Sequence, residues 1–172
     1  MPYWNIKDSD KLNIRSLTHL AYFGVDLNPD GTIRTLDNPR EKEPGWRKLN
    51  TDEFAILSRQ IKLLGKKLIL TVIAMETDQI ETLLNDEGSR QKAVGSILTV
   101  MLEKQFDGLN VDFEYMGFPD GKTRTNFTRF MTDLTVRCKE INPQCEISLD
   151  IFADSGVKNR LYDLAPLGKV VD

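Results

Sequence analysis

Residues 106–115, Phe106-Asp107-Gly108-Leu109-Asn110-Val111-Asp112-Phe113-Glu114-Tyr115, alternate between apolar and polar side chains. Alternate side chains of a β-strand share a face, so one face of this predicted strand is apolar and the other carries Asn110, Asp112 and Glu114. Burying an unpaired charge is costly. Two carboxylates on a strand that the pattern predicts to be buried therefore indicate a chemical role for this segment.

Five other segments have the character of strands. Their residues are mostly apolar, and turns or helical patterns separate them; they lie at residues 2–6, 17–27, 67–75, 146–152 and 170–171. The second of them ends at Asn28-Pro29-Asp30-Gly31, a strong turn signal. Residues 106–115 are then the fourth of six predicted strands.

Helical periodicity predicts helices between these strands. Asn50 followed by Glu53 has the spacing of a capping box, and apolar residues recur at helical period through residues 54–64. The other helices are predicted at residues 12–15, 80–84, 89–105, 123–141 and 162–167. Residues 32–49 are predicted to form a long polar loop.

Strands and helices alternate along the chain, which predicts an α/β fold with a parallel sheet covered by helices. An open doubly wound sheet and a (β/α)8 TIM barrel both fit this pattern. No glycine-rich phosphate loop follows a strand, and carboxylates at the C-terminal end of a strand match the position of barrel active sites. We expect an incomplete (β/α)8 barrel of about six strands. An unrelated open sheet would follow if the fifth and sixth strands did not curve towards the first.

Composition is that of an ordinary globular protein: 40% of the 172 residues are hydrophobic and 28% are charged. The net charge of −3 gives no electrostatic case for nucleic acid or an anionic membrane. No apolar run reaches the ~18 residues that span a bilayer, and the residues after Met1 lack the pattern of a signal peptide. Cys138 and Cys145 fit no zinc or redox spacing and are equally compatible with a disulfide and with two free thiols.

The two carboxylates of the central strand have a defined spacing. Asp112 and Glu114 are two residues apart, so their Cβ atoms are about 6.6 Å apart at ~3.3 Å per residue. Crowding two carboxyls in a pocket of low dielectric constant raises the pKa of at least one, which suits a general acid. Both would approach a bound sugar from the same side, so neither is placed as a nucleophile opposite the acid. The nucleophile would have to come from another strand or from the substrate.

At these residues the chain resembles glycoside hydrolase family 18, the chitinase-like enzymes. The family signature, Asp-x-x-Asp-x-Asp-x-Glu on the fourth barrel strand, corresponds to residues 107–114, and Tyr115 matches the residue that follows. Leu17-Thr18-His19 with the later Asp30-Gly31, and residues 161–172, resemble the family's second strand with its turn and the approach to its sixth strand. The resemblance implies a TIM barrel that hydrolyses polysaccharides containing N-acetylglucosamine.

The resemblance also implies roles for the acidic residues. In the family mechanism the 2-acetamido group of the sugar attacks its own anomeric carbon. Glu114 would protonate the glycosidic oxygen and later activate water. Asp112 would orient the acetamido nitrogen and stabilise the oxazolinium-like intermediate, and Asp107 would be structural, tying the start of the strand to its neighbours.

Substrate contacts are expected from side chains near strand ends. The candidates are Tyr115, Tyr22, Trp4, Phe152 and Asp150. For the aromatic candidates at strand ends, packing in the core is the alternative. Asp150 is equally compatible with a substrate site and with a buried polar network. No metal and no cofactor is expected.

Two positions depart from the family pattern. Asn110 replaces the second Asp of the signature; its amide can hydrogen-bond Asp112 but cannot share a charge or a proton with it. Members that act on bacterial cell-wall glycans, as in spore germination, often carry such an Asn. Thr71-Val72-Ile73-Ala74 replaces a Ser-x-Gly-Gly motif on the third strand, where Thr71 keeps a hydroxyl and Ile73 is bulkier. Asn110 and Thr71 are therefore expected to be supporting residues.

Residues 1–172 are expected to form a single, partial family 18 catalytic domain that stops before the barrel closes. The family's sixth-strand Met-x-Tyr-Asp motif and its eighth-strand Trp would lie beyond Asp172. A partial barrel exposes strand edges, so we expect self-association. The isolated chain is expected to be inactive.

The parent protein is expected to be a secreted or cell-surface hydrolase of chitin or of the glycan strand of peptidoglycan, with no nucleic-acid partner and no membrane span. The alternative is a non-catalytic carbohydrate-binding protein on the same scaffold. Lectin-like relatives typically lose the acid at the position of Glu114, which this chain keeps. The enzyme is therefore the favoured hypothesis.

Overall fold

The structure is a computed structural model that describes all 172 residues. Six strands are present: β1 (His19–Asp26), β2 (Leu36–Asn38), β3 (Glu41–Lys42), β4 (Lys67–Ala74), β5 (Gly108–Phe113) and β6 (Glu146–Leu149). Four of them form one parallel sheet in the order β1-β4-β5-β6. These four correspond to the strands predicted at residues 17–27, 67–75, 106–115 and 146–152.

The register aligns one row of residues across the sheet. Phe23 on β1 pairs with Thr71 on β4, Thr71 with Asn110 on β5, and Asn110 with Ser148 on β6. All four line a single open cavity of about 600 Å³, and so do the first and last residues of the chain, at opposite edges of the sheet. A flat sheet would not bring both edges to one cavity. The sheet is therefore curved into an arc of a (β/α)8 barrel, and the open-sheet alternative is wrong.

The β1 edge of the sheet is extended by a short parallel pairing. Pro2 forms an isolated bridge with Phe23, whose N–H donates to the Met1 carbonyl oxygen at 3.0 Å. The strand predicted at residues 2–6 is otherwise wrong, because Tyr3–Lys11 forms a 3-10 helix. Only Ile6 of this helix is buried, so the segment has little apolar surface to place in the sheet.

The β6 edge begins a similar pairing at the last residue. The Asp172 N–H donates to the Ile147 carbonyl oxygen at 3.0 Å, and the Ile147 N–H donates to Asp172 Oδ2 at 2.9 Å. The strand start predicted at residues 170–171 is wrong, because neither valine is part of a strand and Val170 belongs to the turn that follows the last helix. The N–H of each valine donates to the Leu167 carbonyl oxygen.

Helices connect the strands and cover the outer face of the sheet. They are α1 (Pro44–Leu49), α2 (Asp52–Leu63), α3 (Thr77–Asn85), α4 (Glu87–Glu103), α5 (Gly121–Ile141) and α6 (Leu164–Leu167), with short 3-10 turns at Ile14–Ser16 and Ala153–Gly156. Helical periodicity predicts inward positions on α5 that are all buried: Phe127, Phe130, Met131, Leu134 and Cys138. On α4 the same periodicity predicts Val94, Ile97, Leu98, Met101 and Leu102 to face inward, and all are buried except Leu102, of which 53% is exposed.

The segment between β1 and α2 is more ordered than predicted. Residues 32–49 contain the β2–β3 hairpin and α1 rather than a plain loop. Asn50 does not cap α2, because it already closes the C-terminus of α1. The cap is Thr51, whose Oγ1 accepts from the Phe54 N–H at 3.4 Å.

Two glycines permit close approaches that position the sheet. Gly31 has φ +83°, and a Cβ there would lie 2.1 Å from the Ser89 carbonyl oxygen of α4. At Gly108 a Cβ would lie 2.3 Å from the Glu146 carbonyl oxygen of β6. A side chain at Gly108 would therefore push β5 and β6 apart at the start of the strand that carries the carboxylates.

Cys138 and Cys145 form a disulfide that ties the end of α5 to the start of β6. Both residues are buried. This settles the choice between a disulfide and free thiols that the sequence left open. None of the helices combines the length and the apolar character that crossing a bilayer requires.

Candidate active site

Strand β5 turns its polar residues towards the concave side of the sheet. Asn110 and Asp112 are partly exposed, whereas the apolar residues that alternate with them, Leu109, Val111 and Phe113, are buried. Glu114 follows the strand, and its N–H donates to the Ala74 carbonyl oxygen at 2.8 Å. This bond continues the β4 pairing for one more residue, so both carboxylates stand on an ordered backbone.

A chain of hydrogen bonds runs across the concave side from β6 to β5 and back. Ser148 Oγ donates to Asn110 Oδ1 at 2.7 Å, and Asn110 Nδ2 donates to Asp150 Oδ2 at 2.8 Å. The Asn110 amide thus binds Asp150 and Ser148, not Asp112 as the sequence suggested. Asp150 is brought to the site by this chain.

Three carboxylates share one small cavity at the C-terminal end of the sheet. Asp112, Glu114 and Asp150 line it together with Phe152 and Tyr162, and its volume is about 250 Å³. Partial burial, and then the negative charges of Asp150 and Glu114, raise the pKa of Asp112 to about 6. Crowded carboxyls are expected to raise the pKa of at least one of them, and the residue with the raised pKa is Asp112.

Tyr162 is a member of this cavity that sequence reasoning missed. Its hydroxyl donates to the Phe113 carbonyl oxygen at 2.6 Å, between the two signature carboxylates, and the residue is 2% exposed. Burial, followed by the nearby charges of Asp112 and Glu114, raises its pKa. No sequence pattern distinguishes Tyr162 from an ordinary apolar position of the segment before α6.

Asp107 lies at the opposite, N-terminal end of β5. Its Oδ2 accepts from the Leu68 N–H at 2.8 Å, and its Oδ1 lies 3.2 Å from Lys62 Nζ. The side chain therefore joins β5 to β4 and α2, away from the other carboxylates. Thr71 is buried in the middle of the concave row, opposite Asn110.

Two of the predicted substrate contacts, Tyr22 and Tyr115, lie outside the carboxylate cavity. Tyr22 is fully buried on the outer face of β1, where its hydroxyl donates to the Gly45 carbonyl oxygen at 2.6 Å. Tyr115 is also buried, and its hydroxyl donates to Glu81 on α3. Both side chains point into the layer of helices because they occupy strand positions of the apolar face.

The remaining aromatic candidates lie at different places. Trp4 is exposed in the N-terminal 3-10 helix and contacts Phe23 edge to face, with ring centroids 6.3 Å apart. It does not line the carboxylate cavity. Phe152 does line that cavity and contacts the Tyr162 ring edge to face at 6.0 Å.

A larger cavity of about 690 Å³ lies between α2 and the end of α4 and contains none of the signature residues. Its size does not make it a better candidate, because it lacks the convergent carboxylates and the perturbed pKa that mark the site on β5. No group of three or more His, Cys, Asp or Glu side chains is arranged to hold a metal ion.

Comparison with known families identifies the family of this chain. The model of "Glycosyl hydrolases family 18" matches residues 1–172. The chain belongs to this family. Counting the short pairing at Pro2 as the first strand, β5 is the fourth parallel strand of the sheet.

Solved structures of family members share the fold. The spore cortex-lytic enzyme SleL of Bacillus cereus matches with a TM-score of 0.73 at 19% identity, over 98% of this chain and 35% of that one. A chitinase from Cycas revoluta in complex with (GlcNAc)3 matches with a TM-score of 0.77 at 20% identity, over 100% of this chain and 52% of that one. The Group IV chitinase of Ostrinia furnacalis matches with a TM-score of 0.72 at 23% identity, over 95% of this chain and 43% of that one. The chain thus spans about a third to a half of the length of these structures.

Proposed function

We propose that this chain carries the acidic half of the active site of a glycoside hydrolase that cleaves β-1,4-linked N-acetylhexosamine glycans. The observation that carries the proposal is the shared cavity of Asp112, Glu114 and Asp150 at the C-terminal end of the sheet, in a chain that belongs to family 18. Barrel enzymes place their catalytic residues at this end.

Glu114 is the proposed acid and base. It protonates the glycosidic oxygen as the bond to the anomeric carbon breaks, and it later takes a proton from the attacking water. Asp112 holds the acetamido N–H, so that the acetamido oxygen is aimed at the anomeric carbon. Since both carboxylates stand on one strand, they reach the sugar from one side, and the acetamido group of the substrate supplies the nucleophile. The configuration at the anomeric carbon is then retained.

Asp150, Asn110 and Thr71 support this pair. Burial, and then the negative charge of Asp150, raise the pKa of Asp112, and Asn110 fixes Asp150 by the bond of 2.8 Å. Asp107 holds the start of β5 against β4. These contacts keep the strand and its carboxylates in a single arrangement, which catalysis by positioned groups requires.

The substrate is chitin or the glycan strand of peptidoglycan. Among the similar structures, one is a spore cortex-lytic enzyme and another holds (GlcNAc)3. The disulfide between Cys138 and Cys145 supports a secreted or cell-surface location, because disulfides persist in oxidising compartments. We further propose that residues 1–172 are one partial catalytic domain and are inactive alone.

The second candidate is a non-catalytic carbohydrate-binding protein. The same cavity would hold a sugar without cleaving it. The presence of Glu114 in the cavity favours the enzyme, because binding alone requires no acid at that position.

The test uses two matched chromogenic trisaccharides that differ only in bearing 2-acetamido or 2-hydroxyl groups. Each is offered to the 172-residue chain and to a form that continues past Asp172 by the ~120–150 residues of a complete barrel. We expect cleavage only by the longer form, and only of the acetamido substrate. Equal cleavage of both substrates would contradict the substrate-assisted mechanism. Binding of the acetamido sugar without cleavage by the longer form would support the second candidate.

A further inference from the structure

Four side chains form a surface beside the carboxylate cavity, here named the aromatic platform: Met116 and Phe118 are exposed, and Phe152 and Arg160 are partly buried beneath them. Met116 and Phe118 follow Glu114 in the loop after β5, and 66% and 67% of these residues are exposed. Large apolar side chains at such exposure, grouped next to a cavity, mark a binding surface more often than isolated ones do.

Arg160 holds the platform together. Its guanidinium lies 5.2 Å from the centroid of the Phe118 ring and 5.3 Å from that of Phe152. Nε and Nη2 donate to the two carboxylate oxygens of Asp154 at 2.9 and 2.7 Å, and Nη1 donates to the Gly117 carbonyl oxygen at 3.2 Å. The loops after β5 and β6 are thereby joined in one arrangement, so little conformational entropy would be lost on binding.

The platform retains binding capacity after these contacts are made. A guanidinium has five N–H donors, and three of them are used by Asp154 and Gly117. Two remain on Arg160, on the side of the Phe118 ring that the guanidinium covers, and the opposite face of the ring is left for a ligand. An exposed aromatic ring face matches the apolar C–H face of a pyranose.

Phe152 connects the platform with the proposed site. It lines the cavity of Asp112 and Glu114 and also a neighbouring cavity of about 290 Å³ that Met116, Asp154 and Arg160 line. A polymeric glycan held at the carboxylates would have to continue past this wall in one direction. The two cavities share no other residue.

We propose that the aromatic platform binds a further sugar unit of the glycan, stacked on the open face of Phe118, whose ring Arg160 holds in place. This inference rests on the proposed function, since it assumes that a glycan occupies the carboxylate cavity. It adds that the chain selects oligomers long enough to pass Phe152, and that Phe118 and Arg160 set this preference.

The test is calorimetric titration of the 172-residue chain with (GlcNAc)2 and (GlcNAc)5. The wild type should bind the pentamer about tenfold more tightly than the dimer. Phe118→Ala should lose this gain and keep the affinity for the dimer, and Arg160→Lys, which loses the planar fork, should lose much of it. The matched control is Val157→Ala, an 88% exposed residue of the same segment, which should behave as the wild type.

The outcomes distinguish failure of the platform alone from failure of the glycan site. An unchanged pentamer gain in Phe118→Ala would overturn the platform and leave the carboxylate site intact. Absence of binding for both oligomers by the wild type would count against the platform and against a glycan site on this chain. Because Phe118 is exposed, its truncation should not unfold the protein, and an unchanged urea midpoint would verify this.

Discussion

Asn110 on β5 donates from Nδ2 to Oδ2 of Asp150, just beyond the end of β6, at 2.8 Å. The bond holds the Asp150 carboxylate beside Asp112, whose pKa is raised by that charge after the contribution of burial. Since an amide neither ionises nor passes on a proton, Asn110 fixes the geometry of the carboxylates without adding to their charge. The replacement of the second signature Asp thus has a physical consequence.

Asn110→Asp should increase the electrostatic repulsion in the cavity. The substitution removes the donor to Asp150 and adds a negative charge, so we expect the pKa of Asp112 to rise further and the free energy of unfolding at pH 7.5 to fall by about 1–3 kcal/mol. The measurement is NMR titration of the side-chain carboxyls together with urea unfolding. Asn38→Asp on the exposed β2–β3 hairpin is the control and should change neither quantity. A lower pKa for Asp112 in the variant would contradict the account.

Asp112 should make the folded state less stable as the pH rises. Its pKa is raised from 3.8 to about 6, so between these values the unfolded chain ionises first and stability falls; below pH 3.8 the residue contributes nothing. The whole shift corresponds to about 3 kcal/mol, but solvent screens a half-exposed carboxyl and we expect about 1 kcal/mol.

Asp112→Asn removes this ionisation. The variant should be more stable than the wild type by about 1 kcal/mol at pH 7.5, and the difference should shrink as the pH falls towards 4. Urea unfolding at a series of pH values measures it. A difference that is the same at all pH values would show that the substitution acts through packing and not through the charge.

The disulfide should contribute measurably to stability. Cys138 and Cys145 are seven residues apart in sequence, and closing so short a loop stabilises the native state by about 2–3 kcal/mol in the chain-entropy model. Cys138→Ala with Cys145→Ala should lower the free energy of unfolding by this amount. The reduced wild type, measured with dithiothreitol, should match the double variant. An oxidised wild type that is no more stable than the variant would refute the prediction.

Self-association remains a prediction of the fold. The outer edge of β6 is paired with a single residue, Asp172, and Ser148 and Asp150 are exposed on the concave side. Unpaired strand edges recruit other strands. Sedimentation velocity from low to high protein concentration should show species larger than the monomer. A monodisperse monomer at all concentrations, with one cooperative unfolding transition, would count against it.

Much of the fold was predictable because β1, β4, β5 and β6 are apolar segments separated by clear turns. The incorrect strand predictions are those at the two edges of the sheet, where only a single residue pairs with a strand. Pro2 and Asp172 each make only a short contact with the sheet, and a contact of one residue leaves no periodicity in a sequence. The hairpin within residues 32–49 was missed for a related reason, because its strands are exposed and have no apolar face.

The site was predictable where the alternation of side chains was applied consistently. Asp112, Glu114 and Asp150 fall on the polar side of their strands, and they share one cavity. Tyr115 lies two residues after Phe113, and Tyr22 lies two residues after Leu20. Each pair therefore shares a face of its strand, and the alternation itself assigns both tyrosines to the core. Tyr162 was not predictable, since its role depends on a hydrogen bond to the backbone of a distant strand.

The most direct test of the account is the rate at which Glu114→Gln releases the chromophore from an N-acetylglucosamine oligomer, in the form that continues past Asp172. Loss of the acid should lower this rate by about 10²–10⁴-fold, with the affinity for the sugar retained. Glu103→Gln, at an exposed carboxylate at the end of α4, is the matched control and should keep the wild-type rate. Equal rates for Glu114→Gln and the wild type would contradict the assignment of Glu114 as the catalytic acid.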